Sequence, residues 1–151
     1  MQRKVKKTAL KLNGRRFKIG IAVSEFNKDI TEKMLQGALS ILAKSKVKKE
    51  NIDIFWVPGA YELPYMCQKI ATAGQYNALI ALGCIIRGQT EHHRYLSQAV
   101  ANGLMQVILK HQVPIGFGVI TTNNLAQAKA RSTGKQNKGS EAAEAVLALL
   151  R

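Results

Sequence analysis

The segment Ala78–Ile86, ALIALGCII, decides the fold because it is apolar from end to end. A short continuous apolar run is typical of a strand that is buried on both faces of a parallel sheet. A loop and then the segment His92–His111 follow it. Apolar residues recur there at helical spacing, on one face: Leu96, Val100, Leu104, Val107 and Ile108. The pattern therefore predicts a strand followed by a long amphipathic helix.

The same alternation of strand and helix extends along the chain in both directions. Further strands are predicted over Phe17–Val23, Ile52–Val57 and Pro114–Ile120. Further helices are predicted from a cap at Asp29 or Thr31 through Leu42, and over Tyr61–Ala73, Leu125–Arg131 and Gly139–Leu150, with Pro64 tolerable in a first turn. This order predicts an α/β fold, a three-layer α/β/α sandwich around a four-stranded parallel sheet, similar to flavodoxin.

The charge of the chain is unusual, with a formal net value of +14. Residues 1–16 are expected to form a basic N-terminal arm, followed by one domain over residues 17–151. Lys44, Lys46, Lys48 and Lys49 form a second basic run. One interpretation is a nucleic-acid-binding protein that acts through its arm. No aromatic residues lie between these charges to stack on bases, so a solvated basic arm is favoured and nucleic-acid binding is not expected.

Composition indicates an ordinary globular domain rather than a secreted or membrane protein. The two cysteines, Cys67 and Cys84, offer neither a disulfide framework nor a metal-binding pair, so we expect a reducing, cytoplasmic location. The apolar run nearest the start is too short for a signal peptide, and no stretch approaches the length of a membrane span.

Four loops are expected to carry the function. In open parallel sheets, ligands bind outside the carboxyl ends of the strands. The loops predicted there cover residues 24–27, 58–62, 87–92 and 121–124, and they hold a large share of the aromatic and histidine residues.

Three of the candidates lie at or just before the start of a helix. His92 opens the third helix, where it could transfer protons near neutral pH or be only an exposed residue at a helix start. Gln89 and Thr90 precede it, at a helix N-terminus that favours an anion. Thr90 could instead be only an N-cap.

Each of four other candidates can be interpreted in a structural or in a functional way. Arg131 closes a short helix and either complements the helix dipole or grips a phosphate with its guanidinium. If Asn137 is the cap, Lys138 falls in the first turn of the last helix, where a positive charge is unfavourable. A lysine at this position therefore hints at a ligand. Glu62 is either a first-turn acidic residue or an acceptor for ligand hydroxyls. Phe26 either closes the core or stacks on a flat heterocycle.

Five motifs taken together resemble the lumazine synthase family. They are Phe26-Asn27, the stretch VPGAYELP at 57–64, the stretch LGCIIRGQTEH at 82–92, the stretch PIGFGVITT at 114–122 and Asn137-Lys138-Gly139. They occur in the family's order and at its spacing. The resemblance covers nearly the whole chain after the basic arm.

The resemblance implies a reaction in riboflavin biosynthesis. Members condense 5-amino-6-(D-ribitylamino)uracil with 3,4-dihydroxy-2-butanone 4-phosphate, without a cofactor, to give 6,7-dimethyl-8-ribityllumazine. It implies that His92 transfers protons and that Gln89, Thr90 and Arg131 hold the phosphate. It also implies that the ribitylaminouracil contacts the following residues: Phe26, Ala60, Tyr61, Glu62, Cys84, Ile85, Ile86, Phe117 and Lys138.

The resemblance further implies a homo-oligomer. Phe117 and Lys138 are expected to reach the site from a neighbouring subunit, in an assembly built from pentamers. The segment from Arg131 to Lys138 is one residue shorter than is usual in the family, and short segments resemble members that close into sixty-subunit shells. Other departures are Glu25, Tyr61, His93 and Gln136. A receiver-like module is the remaining alternative, but it needs an acidic cluster after the first strand, which Glu25 alone does not supply.

Overall fold

The computed structural model describes residues 12–150, so most of the expected basic arm lies outside the described residues. The strands are β1 (Ile19–Ser24), β2 (Ile52–Val57), β3 (Ala78–Ile86) and β4 (Ile115–Thr122). The α-helices are α1 (Lys28–Lys44), α2 (Leu63–Thr72), α3 (His92–His111), α4 (Leu125–Ala130) and α5 (Lys138–Leu149). Short 3-10 turns lie at Gly14–Arg16, Lys49–Asn51, Ala60–Glu62 and Gly134–Gln136.

The sheet is parallel throughout, in the order β2-β1-β3-β4. Helices α1 and α5 pack together on one face, and α2 and α3 pack together on the other. The predicted three-layer α/β/α architecture is therefore confirmed. Its four carboxyl-terminal strand ends lie along one edge, which is where the sequence places the candidate loops.

Strand β3 is buried on both faces. Ile80 and Leu82 belong to the cluster under α1 and α5, and Leu79 and Ala81 belong to the cluster under α2 and α3. Burial of a large aliphatic side chain contributes about 1.5–3 kcal/mol. Apolar residues are thus favoured at every position of the strand, and period-two alternation is absent for that reason.

Several element boundaries differ by one or two residues from the sequence-based expectation, and three of them have a clear local reason. β1 begins at Ile19 rather than Phe17, because Lys18 exchanges hydrogen bonds with Asn77 (Lys18 N to Asn77 Oδ1, 2.8 Å; Asn77 N to Lys18 O, 2.8 Å) in the turn beneath the sheet. β4 continues to Thr122, because its last residues still pair with the end of β3. α2 begins at Leu63, after a 3-10 turn, and Pro64 lies in its first turn as expected.

The predicted cap of α1 is wrong. Asn27 occupies the N-cap position, rather than Asp29 or Thr31. Thr31 uses its hydroxyl differently and donates a hydrogen bond to the carbonyl of Ser24, at 2.7 Å. That bond joins the first turn of α1 to the end of β1.

Helix α5 is anchored to α1 at its first turn. The Asn137 side chain accepts hydrogen bonds from Gly139 N (2.9 Å) and Ser140 N (3.2 Å), so Asn137 caps α5 as expected. Its amide nitrogen donates to the carbonyl of Lys33 in α1, at 3.0 Å. Gly139 lies against the Met34 carbonyl so closely that a Cβ there would collide with it. The two helices therefore approach each other through backbone.

Basic side chains gather at the opposite end of the sheet from the candidate loops. The turn Gly14–Arg16 is joined to the Lys44–Lys49 segment by a bond from Gly14 N to Ser45 O, at 2.8 Å. Arg15, Arg16 and the four lysines of the second run are exposed. Within residues 12–150, no helix is both long and apolar enough to cross a membrane.

Candidate active site

A cavity of about 630 Å³ opens at the carboxyl ends of the strands. It is lined by residues from β3, from the turns after β1 and β2, and from the start of α3. These are Phe26, Gly59, Ala60, Tyr61, Cys84, Ile85, Ile86, Gly88, Thr90, His92, His93 and Leu96. A mostly apolar concave site with a few convergent polar groups is what a small-molecule ligand requires.

Eight of the candidate site residues line this cavity. They are Phe26, Ala60, Tyr61, Cys84, Ile85, Ile86, Thr90 and His92. Glu62 and Gln89 are the chain neighbours of lining residues but are not themselves part of the lining. Phe117, Arg131 and Lys138 lie elsewhere.

The Phe26 ring is not part of the core. It is 71% exposed at the cavity, so the interpretation that it closes the core is wrong. The main chain of Glu25 and Phe26 is held against the turn after β2, through Glu25 N to Val57 O (2.8 Å) and Phe26 N to Pro58 O (3.0 Å). The ring is therefore an exposed flat surface on a fixed backbone.

Glu62 stabilises the turn that carries Ala60 and Tyr61. Its Oε2 accepts a hydrogen bond from Gly59 N, at 2.9 Å, and this closes the turn from the end of β2 into α2. Tyr61 remains 67% exposed beside the cavity. The carboxylate has a structural role through Oε2, while Oε1 has no hydrogen bond among the described residues.

The start of α3 is organised by Thr90. Its hydroxyl accepts a hydrogen bond from His92 N (3.3 Å), and its carbonyl lies 3.3 Å from Nδ1 of His93. The helix cap is Glu91, one residue later than the Thr90 cap that the sequence left open. His92 is exposed and His93 is half-buried at the cavity. The first turn of this long helix therefore directs backbone N–H groups and a positive dipole end toward the cavity rim.

The thiol of Cys84 is not suited to act as a nucleophile. Burial, followed by the charge of Asp29, raises the pKa of Cys84 to about 12. A thiol with that pKa is protonated near neutral pH and is a poor nucleophile.

Arg131 and Lys138 lie together in a second hollow, of about 420 Å³, which Gln136 and Glu141 complete. Arg131 is half-buried and donates from Nη1 to the carbonyl of Gln127, at 3.1 Å. Lys138 Nζ lies 2.8 Å from Glu141 Oε2. This ion pair offsets the unfavourable position of a cation in a first turn, so that position no longer hints at a ligand by itself.

Phe117 belongs to neither hollow. It pairs with Ala81 in the middle of β4, the edge strand, and is 54% exposed. A single chain therefore brings eight of the candidates together around the cavity. Arg131 and Lys138 share the second hollow, and Phe117 lies apart from both.

Four lining residues were not among the sequence candidates: Gly59, Gly88, His93 and Leu96. Leu96 was assigned to the apolar face of α3, and His93 was noted only as a departure from the family pattern. Leu96 follows His92 by four residues, a spacing that places both on one helical face. That spacing was the available signal. Within the described residues, no three His, Cys, Asp or Glu side chains are grouped in a way that could hold a metal ion.

Comparison with known proteins gives one consistent result. Residues 16–151 match the family described as 6,7-dimethyl-8-ribityllumazine synthase. A protein of that name from Pediococcus pentosaceus is 44% identical over 139 residues, which are 91% of this chain and 89% of that protein. Another, from Coxiella burnetii, is 43% identical over 136 residues, 89% of this chain and 90% of that protein.

Proposed function

The chain belongs to the 6,7-dimethyl-8-ribityllumazine synthase family, and on that premise we propose its reaction, substrates and assembly. It is a transferase of riboflavin biosynthesis. It condenses 5-amino-6-(D-ribitylamino)uracil with 3,4-dihydroxy-2-butanone 4-phosphate to give 6,7-dimethyl-8-ribityllumazine, phosphate and water. The match over residues 16–151 carries this conclusion, and the cavity supports it, because eight of the residues expected from the family line it.

The cavity receives the ribitylaminouracil. The exposed ring of Phe26 stacks on the pyrimidinedione, while backbone groups of Cys84, Ile85 and Ile86 bind its polar edge. The ribityl chain runs past Ala60 and Tyr61, and Glu62 accepts hydrogen bonds from its hydroxyls. The bond from Gly59 to Oε2 supports this role, because it orients the carboxylate and leaves Oε1 for the ligand.

The phosphorylated ketone binds at the start of α3. Gln89 and Thr90 offer main-chain N–H groups and a hydroxyl at a helix N-terminus, a favourable place for a phosphate. Arg131 supplies the fork of donors that complements the phosphate charge. The ketone carbonyl is then held next to the amine of the first substrate.

The chemistry requires proximity and proton transfer. The amine attacks the ketone, water leaves as an imine forms, phosphate leaves, and ring closure with loss of water completes the lumazine. Holding two reactants in one cavity supplies much of the acceleration. His92, exposed at the cavity rim, moves protons between the reacting nitrogen and oxygen atoms and adds about 10²–10⁴-fold.

A second subunit completes the site. Because Phe117, Arg131 and Lys138 lie outside the cavity of their own chain, we assign them to the cavity of a neighbour. Apolar side chains exposed on the outer side of α2 and α3 support subunit contact there: Tyr65, Tyr95, Met105 and Leu109. The assembly is a cytoplasmic homo-oligomer of pentamers that closes further into a shell.

The direct test mixes the purified protein with both substrates and follows lumazine absorbance and fluorescence. The proposal predicts turnover that needs both substrates. Absence of lumazine from a folded protein would refute the proposed reaction.

Subunit mixing tests the shared site. His92→Ala damages the cavity, and Arg131→Ala damages the group that reaches a neighbour. After denaturation and co-refolding in equal amounts, about one quarter of the subunit contacts should join an intact cavity to an intact Arg131. Activity should then rise above the mean of the two variants. A mixture whose activity stays at that mean would contradict the shared site. So would a fully active protein that light scattering shows to be a monomer.

A further inference from the structure

Asn27 has the least common backbone conformation in the loop around the cavity. It lies between Phe26 and the first residue of α1, with φ 59° and ψ 45°, in the left-handed region. Asparagine tolerates this region better than any residue except glycine. The conformation turns the chain sharply from β1 into α1.

The Asn27 side chain bonds to the end of β3, at a residue that lines the cavity. Its Nδ2 donates to the carbonyl of Cys84, at 3.0 Å. Main-chain pairing between β1 and β3 ends at Val23 and Leu82, so Cys84 lies two residues beyond the last pair. The side-chain amide of Asn27 donates the hydrogen bond that β1 no longer provides at this position. A buried carbonyl without a hydrogen-bond donor would destabilise the folded state.

The Asn27 main chain holds the start of α1. Its carbonyl accepts hydrogen bonds from Ile30 N (2.9 Å) and Thr31 N (3.1 Å). One residue thus joins three parts of the fold, the turn with Phe26, the first turn of α1 and the end of β3. Phe26 and Cys84 both line the cavity, on walls that Asn27 connects.

We propose that Asn27 is a positioning residue for the reaction, because its bond to the Cys84 carbonyl sets the Phe26 ring against the β3 wall at the spacing that a flat heterocycle needs. This inference rests on the proposed function. Asn27 acts through Phe26 and is not part of the cavity lining. Its loss therefore weakens binding of the pyrimidinedione, while binding of the phosphorylated ketone at the start of α3 is unaffected.

Three substitutions separate the side-chain bond from the backbone turn. Asn27→Gly keeps the left-handed conformation and removes the bond. Asn27→Asp keeps the conformation but directs a carboxylate oxygen toward the carbonyl. Asn27→Ala loses both the bond and the tolerated conformation, so it serves mainly as a measure of stability. Asn51→Ala is the matched control, because Asn51 also donates from Nδ2 to a main-chain carbonyl, that of Arg15, at 3.2 Å at the other end of the sheet.

The decisive experiment is a double-mutant cycle between Asn27→Gly and Phe26→Ala. Loss of one hydrogen bond should weaken binding of 5-amino-6-(D-ribitylamino)uracil about two- to tenfold in the native background. The same change should have no further effect in the Phe26→Ala background. Asn27→Asp should weaken binding at least as much as Asn27→Gly, and Asn51→Ala should leave binding unchanged. KM for the ketone phosphate, at saturating amine, should change less than twofold.

Two results would overturn the positioning role. One is an equal loss of amine affinity in the native background and in the Phe26→Ala background. The other is an equal loss for both substrates. Neither would be confused with failure of the proposed function, which would appear as a native protein that forms no lumazine at all.

Discussion

Arg131→Ala should lower stability slightly and catalysis strongly. The guanidinium makes one bond to a carbonyl of its own helix, at 3.1 Å, and it follows the last turn of α4. Loss of that bond costs about 0.5–1.5 kcal/mol. Loss of the favourable dipole interaction costs roughly 0.3–1 kcal/mol. A domain of this size should then melt about 2–10 °C lower.

The catalytic loss is expected to be larger. One charge-assisted hydrogen bond to the phosphate contributes about 1.5–3 kcal/mol, and its loss lowers kcat/KM for the ketone phosphate about 10- to 150-fold. Arg131→Lys keeps the charge but loses the fork, so it should recover only part of that factor. Affinity for the ribitylaminouracil should stay the same, because that substrate carries no phosphate.

The assay varies the ketone phosphate at saturating amine, and a separate titration measures amine binding alone. Lys129→Ala is the matched control, since Lys129 is an exposed cation in the last turn of the same helix and lies in neither hollow. Lys129→Ala should lower stability through the lost interaction with the helix dipole, but it should leave kcat/KM for the ketone phosphate unchanged. Equal weakening of both substrates by Arg131→Ala, or a lower melting temperature with unchanged kinetics, would refute the phosphate assignment.

Three other predictions concern chemistry, packing and pH. His92→Ala should lower kcat by about 10²–10⁴ with nearly unchanged affinity for the amine, and unchanged kcat where chemistry limits the rate would leave His92 as a helix-start residue. Gly139→Ala should cost about 1–3 kcal/mol in urea unfolding because its Cβ meets the Met34 carbonyl, whereas Gly88→Ala, whose Cβ meets open space, should cost far less. Burial raises the pKa of Cys67 from 9.0 to about 12, so the thiol is neutral when folded and ionises first in the unfolded chain. The contribution of the Cys67 thiol to the free energy of unfolding is therefore complete below about pH 9. It is lost as pH rises toward 12, at up to about 1.4 kcal/mol per pH unit. Cys67→Ala should flatten that decline, and parallel losses in both proteins would exclude the thiol as its cause.

Sequence patterns predicted the elements best where packing is uniform. The bounds of β2, β3 and α3 agree with the structure, because each is delimited by turn residues or by a clear change of period. The start of α1 was missed because Asn27 caps it through an uncommon backbone conformation rather than through its side chain. Local composition gives no sign of that conformation.

Exposure was harder to predict than secondary structure. Phe26 is an apolar residue shortly after β1, and Phe117 is one within β4, so composition alone favours the core for both. Phe26 is exposed because its turn passes over the cavity, and Phe117 is exposed because β4 is the sheet edge. The order of the strands in the sheet depends on tertiary structure, and the periodicity of apolar residues in the sequence does not predict it. The ion pair of Lys138 was not predicted, although Glu141 follows Lys138 at a helical spacing that allows it.

The anchorage of α5 restricts where the chain can change length during evolution. Residues added after Asn137 would rotate the first turn of the helix and move the Gly139 contact away from Met34. Residues 133–136 are exposed, and lengthening such a segment costs only about 0.6 kcal/mol for each doubling of the loop. Insertions and deletions can therefore accumulate in this short stretch between α4 and α5, while Lys138 keeps its place on the helix.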